Sequence, residues 1–346
     1  MTKKFNSKRS LEIQKEMFDF SRTSPRKGSW WWWFLILIFN NPKNESNPRQ
    51  LMILWSTKKD KEIECNDLRF TLDHSIVEES KGKRVDGAVT SWYYDGKKMW
   101  HNFLLKQTPL LFSKEGIKTE NIETEFYRTK KGFKLNIKNK IKFDLYIKEK
   151  NIFTMPTHDS KKLFGFNYEL LRMNRLDLNG VINGEKVKGS AYLQRVFLNA
   201  PAMPWYWGVF YFKNNVMLTY LKINSGKTLG EIPLKKDIQF YYKGKFHKIK
   251  NMKVKKKIEK ELPVFDVEGE DKEIKISFQV TPYSSSYWKF RKKFLGIKKK
   301  SKFIWYEYPS TIEKIRLVNK RTGEELTEKD LGIGIGNAEQ SHGFLI

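Results

Sequence analysis

The sequence predicts an all-β protein of antiparallel sheets. Three observations carry that expectation: apolar residues recur with period two, turn signals separate the segments, and no long run has helical periodicity. The stretch 176–221 shows all three. Leu176, Leu178, Gly180 and Ile182 share one phase of an alternating limb. Asn183-Gly184, two residues that tolerate positive φ, then supply a two-residue hairpin turn. Val187, Gly189 and Ala191 alternate on the return, with Lys186, Lys188 and Ser190 opposite. Beyond Pro201 and Pro204, Trp205, Trp207, Val209 and Tyr211 alternate with Tyr206, Gly208, Phe210 and Phe212, so both faces of that strand should be covered. Lys213-Asn214-Asn215 marks a further turn. Small residues on one strand and large rings on the next predict a curved sheet around a cavity.

At 346 residues the chain is long enough for about two domains and a substantial core. Aromatic residues make up 15% of it, which excludes a disordered chain. The balance of 67 basic against 39 acidic residues gives +28. Such an excess suits an anionic membrane surface or nucleic acid, and equally a set of solvated strand faces dressed with Lys. No zinc-finger, RNP or KH signature accompanies it, so a nucleic-acid partner is not favoured. Cys65 stands alone, which rules out an internal disulfide and fits a reducing cytoplasm. The five His show no ligand spacing, and no glycine loop for phosphate follows a strand, so neither a metal nor a cofactor is expected.

Taken in order, residues 1–27 read as a basic N-terminal extension in which Leu11, Ile13, Met17 and Phe18 allow a short helix. They do not form a secretory signal, because no apolar region of the right length and cleavage chemistry follows the charges. The run 30–39, WWWWFLILIF, has ten residues where a membrane helix needs about 20. It reads as a strand buried on both faces, with 51–55 returning beside it after a polar loop. Short strands follow over 63–111, with a turn at Asp95-Gly96. Over 133–147 the odd-numbered residues are apolar except Asn139, and Lys134, Lys138, Lys140 and Lys142 lie opposite, the pattern of a strand pair with one wet face. Residues 151–162, with Pro156, form the expected connection between a first β domain at 28–160 and a second at 161–346. The run 243–260 holds nine Lys in eighteen positions, and 289–302 is similarly dense around Trp288, Phe290 and Phe294. Interleaved rings and cations can stack on nucleobases, or they can be ordinary solvated strands.

Several of these segments, in order, resemble the lipocalin-like (calycin) superfamily of hydroxyneurosporene synthase, a carotenoid hydratase, and AttH-type proteins. Trp30-Trp31-Trp32-Trp33-Phe34 is similar to its opening EWWY-like strand. Phe166-Asn167-Tyr168 with 176–180 resembles its crossing segment, and 189–195 its glycine–aromatic–acid motif. Trp205-Tyr206-Trp207 matches a Trp-x-Trp strand, and 332–339 a Gly-rich strand carrying a glutamate. The resemblance implies two successive calycin-like antiparallel β-barrel domains enclosing a pocket for a bulky hydrophobic molecule, isoprenoid or carotenoid-like. It further implies hydration, isomerisation or cyclisation of that molecule. Two positions depart from the pattern. Gln194 stands where the hydratases place an Asp that protonates carbon, and the leading Glu of the EWWY motif is absent.

On this reading Tyr192, Arg195 and Glu339 are the catalytic candidates, while Gln194, Trp205, Trp207, Trp31 and Trp33 line the ligand. Each has a structural alternative: Arg195 paired with Glu339, and the indoles as plain core. Two further functions stand beside this one. The first is a non-catalytic lipid or isoprenoid carrier, cytoplasmic and peripheral to anionic membranes. The second is a Lys-rich nucleic-acid-binding protein.

Overall fold

Ten consecutive apolar residues are dry as a strand only if another layer covers each face, and the chain places β1 (Trp30–Phe39) between two layers. The computed structural model describes residues 15–19, 28–41, 44–60, 62–72, 76–79, 82–149, 157–163, 166–225, 232–242, 245–259, 261–294 and 297–345. After β1 come β2 (Arg49–Lys58), β3 (Ile63–Cys65), β4 (Leu68–Phe70), β5 (Val77–Glu79), β6 (Gly82–Tyr94), β7 (Met99–Phe112), β8 (Gly116–Thr119), β9 (Thr124–Thr129), β10 (Gly132–Lys138), β11 (Lys142–Glu149), β12 (Thr157–Leu163), β13 (Phe166–Ile182) and β14 (Glu185–Asn199). The rest is β15 (Trp205–Tyr211), β16 (Met217–Asn224), β17 (Pro233–Tyr242), β18 (Lys245–Ile249), β19 (Asn251–Glu259), β20 (Leu262–Glu270), β21 (Ile274–Pro282), β22 (Ser286–Phe294), β23 (Ile297–Asn319), β24 (Glu325–Thr327), a one-turn helix (Glu328–Leu331) and β25 (Gly334–Gly343).

The first sheet runs β11-β10-β9-β8-β7-β6-β2-β1-β14-β13, and β13 pairs back onto β11 to close a ten-stranded barrel. β12 is carried on the other end of β13. Closure rests on the length of β13: Leu176–Ile182 of β13 bond to β14 on one side and to β11 on the other. The second sheet runs β18-β17-β16-β15-β25-β23-β21-β20-β19, with β22 and β24 on β23 and the β3–β4 hairpin on β22. Among the described residues no pairing joins its ends.

The expectation of two successive calycin-like barrels is therefore corrected: one barrel is closed, and the second sheet is open. The physical reason is that period-two alternation reports which face of a strand is covered, not whether the first and last strands meet. In the second sheet the terminal strands β18 and β19 are consecutive in the chain, joined by Lys250 alone. One residue cannot make a hairpin turn, so the two follow one another without pairing.

Side-chain alternation on β1 then sorts the interior. Trp31, Trp33, Leu35, Leu37 and Phe39 point into the barrel and join a core with Trp55, Phe126, Leu135 and Leu193. Trp30, Phe34, Ile36 and Ile38 point outward into a layer shared with Tyr192, Trp207, Val209, Phe303 and Trp305. A third core, including Phe210, Tyr220, Phe240 and Phe265, lies on the opposite face of the second sheet. Each fully buried Leu or Phe contributes about 2 kcal/mol from removal of apolar surface alone.

Several local readings find their place. Asn183 and Gly184 take φ of 47° and 88° between Ile182 and Glu185, the two-residue turn with both centres left-handed. Asn139, the exception in the alternation of 133–147, lies between β10 and β11, whose alternate residues from Phe133 to Ile147 are buried. Of the N-terminal extension, residues 15–19 are described, and Met17 and Phe18 are buried in the barrel core. The rest of 1–27 except those five, and 151–156 of the expected connection, lie outside the described residues.

Gly189 corrects one inference about small residues. A Cβ there would sit 1.9 Å from the Ile38 carbonyl oxygen, so this glycine lets two backbones approach instead of leaving room for a ligand. Gly189→Ala should accordingly cost about 3 kcal/mol in urea-unfolding free energy. Gly184→Ala, which meets no neighbour but sits at positive φ, should cost about 1 kcal/mol.

Candidate functional site

Three adjacent strands of the open sheet present a row of side chains to the barrel wall. Trp207 on β15 lies directly across from Glu339 on β25, and Glu339 directly across from Glu307 on β23. Residues opposite one another in a ladder share a face, so the two carboxyls and the indole project together into the layer between barrel and sheet. Trp205 and Trp305, two residues along their own strands, lie on that face too. From the barrel side, β14 contributes Tyr192 and β1 contributes Phe34. Trp207 packs on Tyr192 and Phe34 with ring centroids 5.1 and 6.1 Å away, and Trp305 stacks on Phe34 at 5.8 Å.

Both acids are buried, Glu307 completely and Glu339 to 4% exposure. The Trp205 indole N–H donates to Glu339 Oε2 at 2.8 Å, and the Asn337 amide donates to Glu307 Oε2 at 2.7 Å. The second oxygen of each carboxyl has no hydrogen-bond partner, nor does Asn337 Oδ1. Burial disfavours the charged form and pushes Glu339 up to about 8, opposed by the Trp205 and Trp305 indoles, of which Trp205 reaches full hydrogen-bond geometry. Glu307 is raised well above the ordinary carboxylate value by burial and by the neighbouring Glu339, with the Asn337 bond opposing. A carboxyl that keeps its proton at neutral pH inside an aromatic layer is placed to act as a Brønsted acid.

Tyr192 is fully buried, and its hydroxyl donates to Gln194 Oε1 at 2.8 Å. Its phenol is pushed up by burial, with Arg172 holding it down in part. Arg172, itself buried, faces Gln194 across the β13–β14 ladder. Tyr192, Gln194, Trp205, Trp207 and Glu339 are thus gathered on one side of the barrel wall.

Arg195, Trp31 and Trp33 are not part of this group. One residue out of phase with Gln194, Arg195 points to the other side of β14. There its guanidinium lies 5.6 Å from the Trp31 ring and pairs with Glu169. It also donates to the carbonyls of Glu16 and Asp19 at 2.6 and 2.7 Å. The Trp33 indole donates to the Met17 carbonyl at 2.7 Å. The expected alternative of Arg195 paired with Glu339 is replaced by this clamp, which holds residues 16–19 against the barrel. Sequence reasoning missed Glu307, Asn337, Trp305 and Arg172. Glu307 did leave a signal: it continues the buried phase Phe303, Trp305 as an acid where an apolar residue belongs.

A small cavity of about 40 Å³, room for a few waters, lies elsewhere, between the barrel wall and β22. Trp30, Lys58, Cys65, Phe70, Thr90 and Phe290 line it, and burial pushes the Cys65 thiol up, so that sulfur is an inert one. The Lys run of β19 lies on an edge strand of the open sheet, with Lys253, Lys255 and Lys257 exposed. Charged edge strands resist pairing with other chains, and this accounts for that part of the basic excess. Among the described residues no helix is long and apolar enough to cross a membrane.

No family model and no curated protein matches the sequence. Solved structures do match the fold. A provisionally assigned AttH from Nitrosomonas europaea aligns over 93% of this chain and 96% of its own, at 12% identity and a TM-score of 0.53. The crystal structure of CghA with Sch210972 aligns over 91% of this chain and 88% of that one, at 8% identity and a TM-score of 0.50. At these identities the likeness is one of fold: the chain shares the overall fold of these two structures.

Two expectations follow. Arg195→Met leaves Glu169 without its partner and frees two carbonyls, and should cost about 3–5 kcal/mol in unfolding free energy. The second concerns pH. Glu339 keeps its proton up to about 8 when folded but releases it near 4.5 when unfolded, so its contribution is whole below 4.5 and lost as pH rises through 8. Chemical unfolding measured across that window should show stability falling with pH, with a shallower slope in Glu339→Gln.

Proposed function

We propose that the protein binds a bulky apolar molecule, isoprenoid or carotenoid-like, against the indole wall between barrel and open sheet, and that Glu339 protonates it there. The observation that carries this reading is the pair of buried acids in a layer otherwise made of rings. A protonated carboxyl delivers its proton to an alkene carbon and is left as carboxylate. The cation so formed sits against the π faces of Trp205, Trp207 and Trp305, which favour positive charge. Water capture then gives hydration, proton loss gives isomerisation, and attack by a second alkene gives cyclisation. A proton returned to Glu339 from the product or from solvent completes the cycle.

The resemblance to hydroxyneurosporene synthase supports the substrate class, and the departure at Gln194 shapes the mechanism. Gln194 cannot donate a proton from an acid group, but it holds the Tyr192 hydroxyl, so the acid role falls to Glu339. CghA, a structural neighbour, is solved with Sch210972, which accords with a small-molecule site in this fold. A cytoplasmic carrier that docks on anionic membranes is the second reading, favoured by Ile258, 64% exposed beside the Lys of β19.

Native mass spectrometry of the full chain purified from its own host should show a co-purifying apolar mass. With that molecule in hand, Glu339→Gln should retain binding within about threefold and lose turnover by at least about a hundredfold, the usual scale of a general acid. Binding with no turnover in either protein would favour the carrier, and its release from anionic vesicles by salt would establish the membrane contact. A steep salt dependence with duplex or single-stranded nucleic acid alone would favour the third function.

A further inference from the structure

The neighbour of Glu339 is as informative as Glu339 itself. Glu307 and Glu339 occupy opposed positions on β23 and β25, where Cα atoms lie about 5 Å apart. Both side chains enter the same dry layer, and among the described residues neither forms an ion pair with Lys or Arg. The Trp205 indole and the Asn337 amide each serve a single oxygen, the Trp305 indole lies near Glu339 without full hydrogen-bond geometry, and one oxygen of each carboxyl remains without a hydrogen bond. Two adjacent carboxylates in such a place would carry two uncompensated charges, and two carboxylic acids would leave acceptors unmet. One proton between them removes a charge and supplies the missing hydrogen bond.

We propose that Glu307 and Glu339 share one proton as a unit. This deepens the reading above and rests on it for its chemical purpose: one member gives its proton to the substrate, and the cation so formed beside the pair offsets one of the two negative charges left on it until the proton returns. Asn337 donates to one oxygen of Glu307 and Trp205 to one oxygen of Glu339, so each carboxyl is held by one oxygen and has the other free to take part in the sharing. The other groups that face the pair do not supply a competing charge. β15 and β23 present Trp205, Trp207 and Trp305, and the barrel wall presents Tyr192 with Arg172 beyond it. Tyr220, on the opposite face of the sheet, is fully buried, and burial keeps its phenol neutral.

The test is a carboxyl titration by carbon-13 NMR on ligand-free full-length protein labelled at glutamate side chains, from acid to alkaline pH. In the wild type two buried carboxyls should titrate with well-separated midpoints. In either single variant, Glu307→Gln or Glu339→Gln, the remaining carboxyl should titrate about one pH unit or more below the upper wild-type midpoint, the size expected for a strongly interacting pair. Midpoints that stay put in the variants would show two separate acids raised by burial, and the proposal would be wrong. It would be equally wrong if sodium, potassium or calcium displaced the proton, since the pair would then be a cation site. Should a variant fail to fold, the wild-type curve still decides, because independent acids give no split beyond their separate burial and no change when the other is titrated. None of these readings needs the apolar ligand, so failure to find one would sink the proposed function and leave this result standing.

Discussion

Burial of β1 on both faces is the constraint from which the rest of the architecture follows. Ten apolar residues with alternating side chains cannot face water on either side without a large cost, so a barrel interior forms on one side and an intersheet layer on the other. The strand that satisfies the barrel also builds the floor of the site, because Phe34 and Ile36 reach outward between the indoles. Bonds between the two sheets reinforce the arrangement: the Gln50 amide donates to the Tyr283 hydroxyl and to the Gly336 carbonyl. Gly336 itself lies on the strand that carries Asn337 and Glu339. The acids are therefore held by a backbone that the barrel grips directly.

The same arrangement explains why chemistry would reside between the layers and not inside the barrel. The barrel core is filled by rings and aliphatic side chains, and its one deeply buried arginine is occupied with Glu169 and two backbone carbonyls. The intersheet layer holds two buried carboxyls whose hydrogen bonds are incomplete. Unsatisfied buried atoms occur elsewhere in the protein too, but among the described residues only here do they include two acidic side chains on opposed strands, and native interiors satisfy most such atoms.

Much of this was legible in the sequence, and unevenly. The double burial of 30–39, the Asn183-Gly184 turn and the wet and dry faces of 133–147 follow from local periodicity, which depends only on neighbours along the chain. Whether a sheet closes depends on strands far apart meeting, and no local pattern records that β13 returns to β11 while β18 and β19 do not pair. The site was half readable. Tyr192, Trp205, Trp207 and Glu339 were picked from motif resemblance. Arg195 belongs to the same motif as Tyr192 and Gln194, but a strand sends adjacent residues to opposite faces. Glu307 is masked in sequence by the aromatic run around it, although its phase marks it as inward.

The placement of β1 at the centre of the first sheet has a consequence for synthesis. Its partner on one side, β2, leaves the ribosome soon after it, but Leu198, which pairs with Trp30, emerges only when more than half the chain has been made. Throughout that interval a tryptophan-rich edge with free amides and carbonyls is open to any passing strand, and growing chains of this kind aggregate from such edges. A nascent chain stalled before β14 would thus keep that edge open, and the last residues of β14 mark the earliest length at which both edges of β1 can be paired.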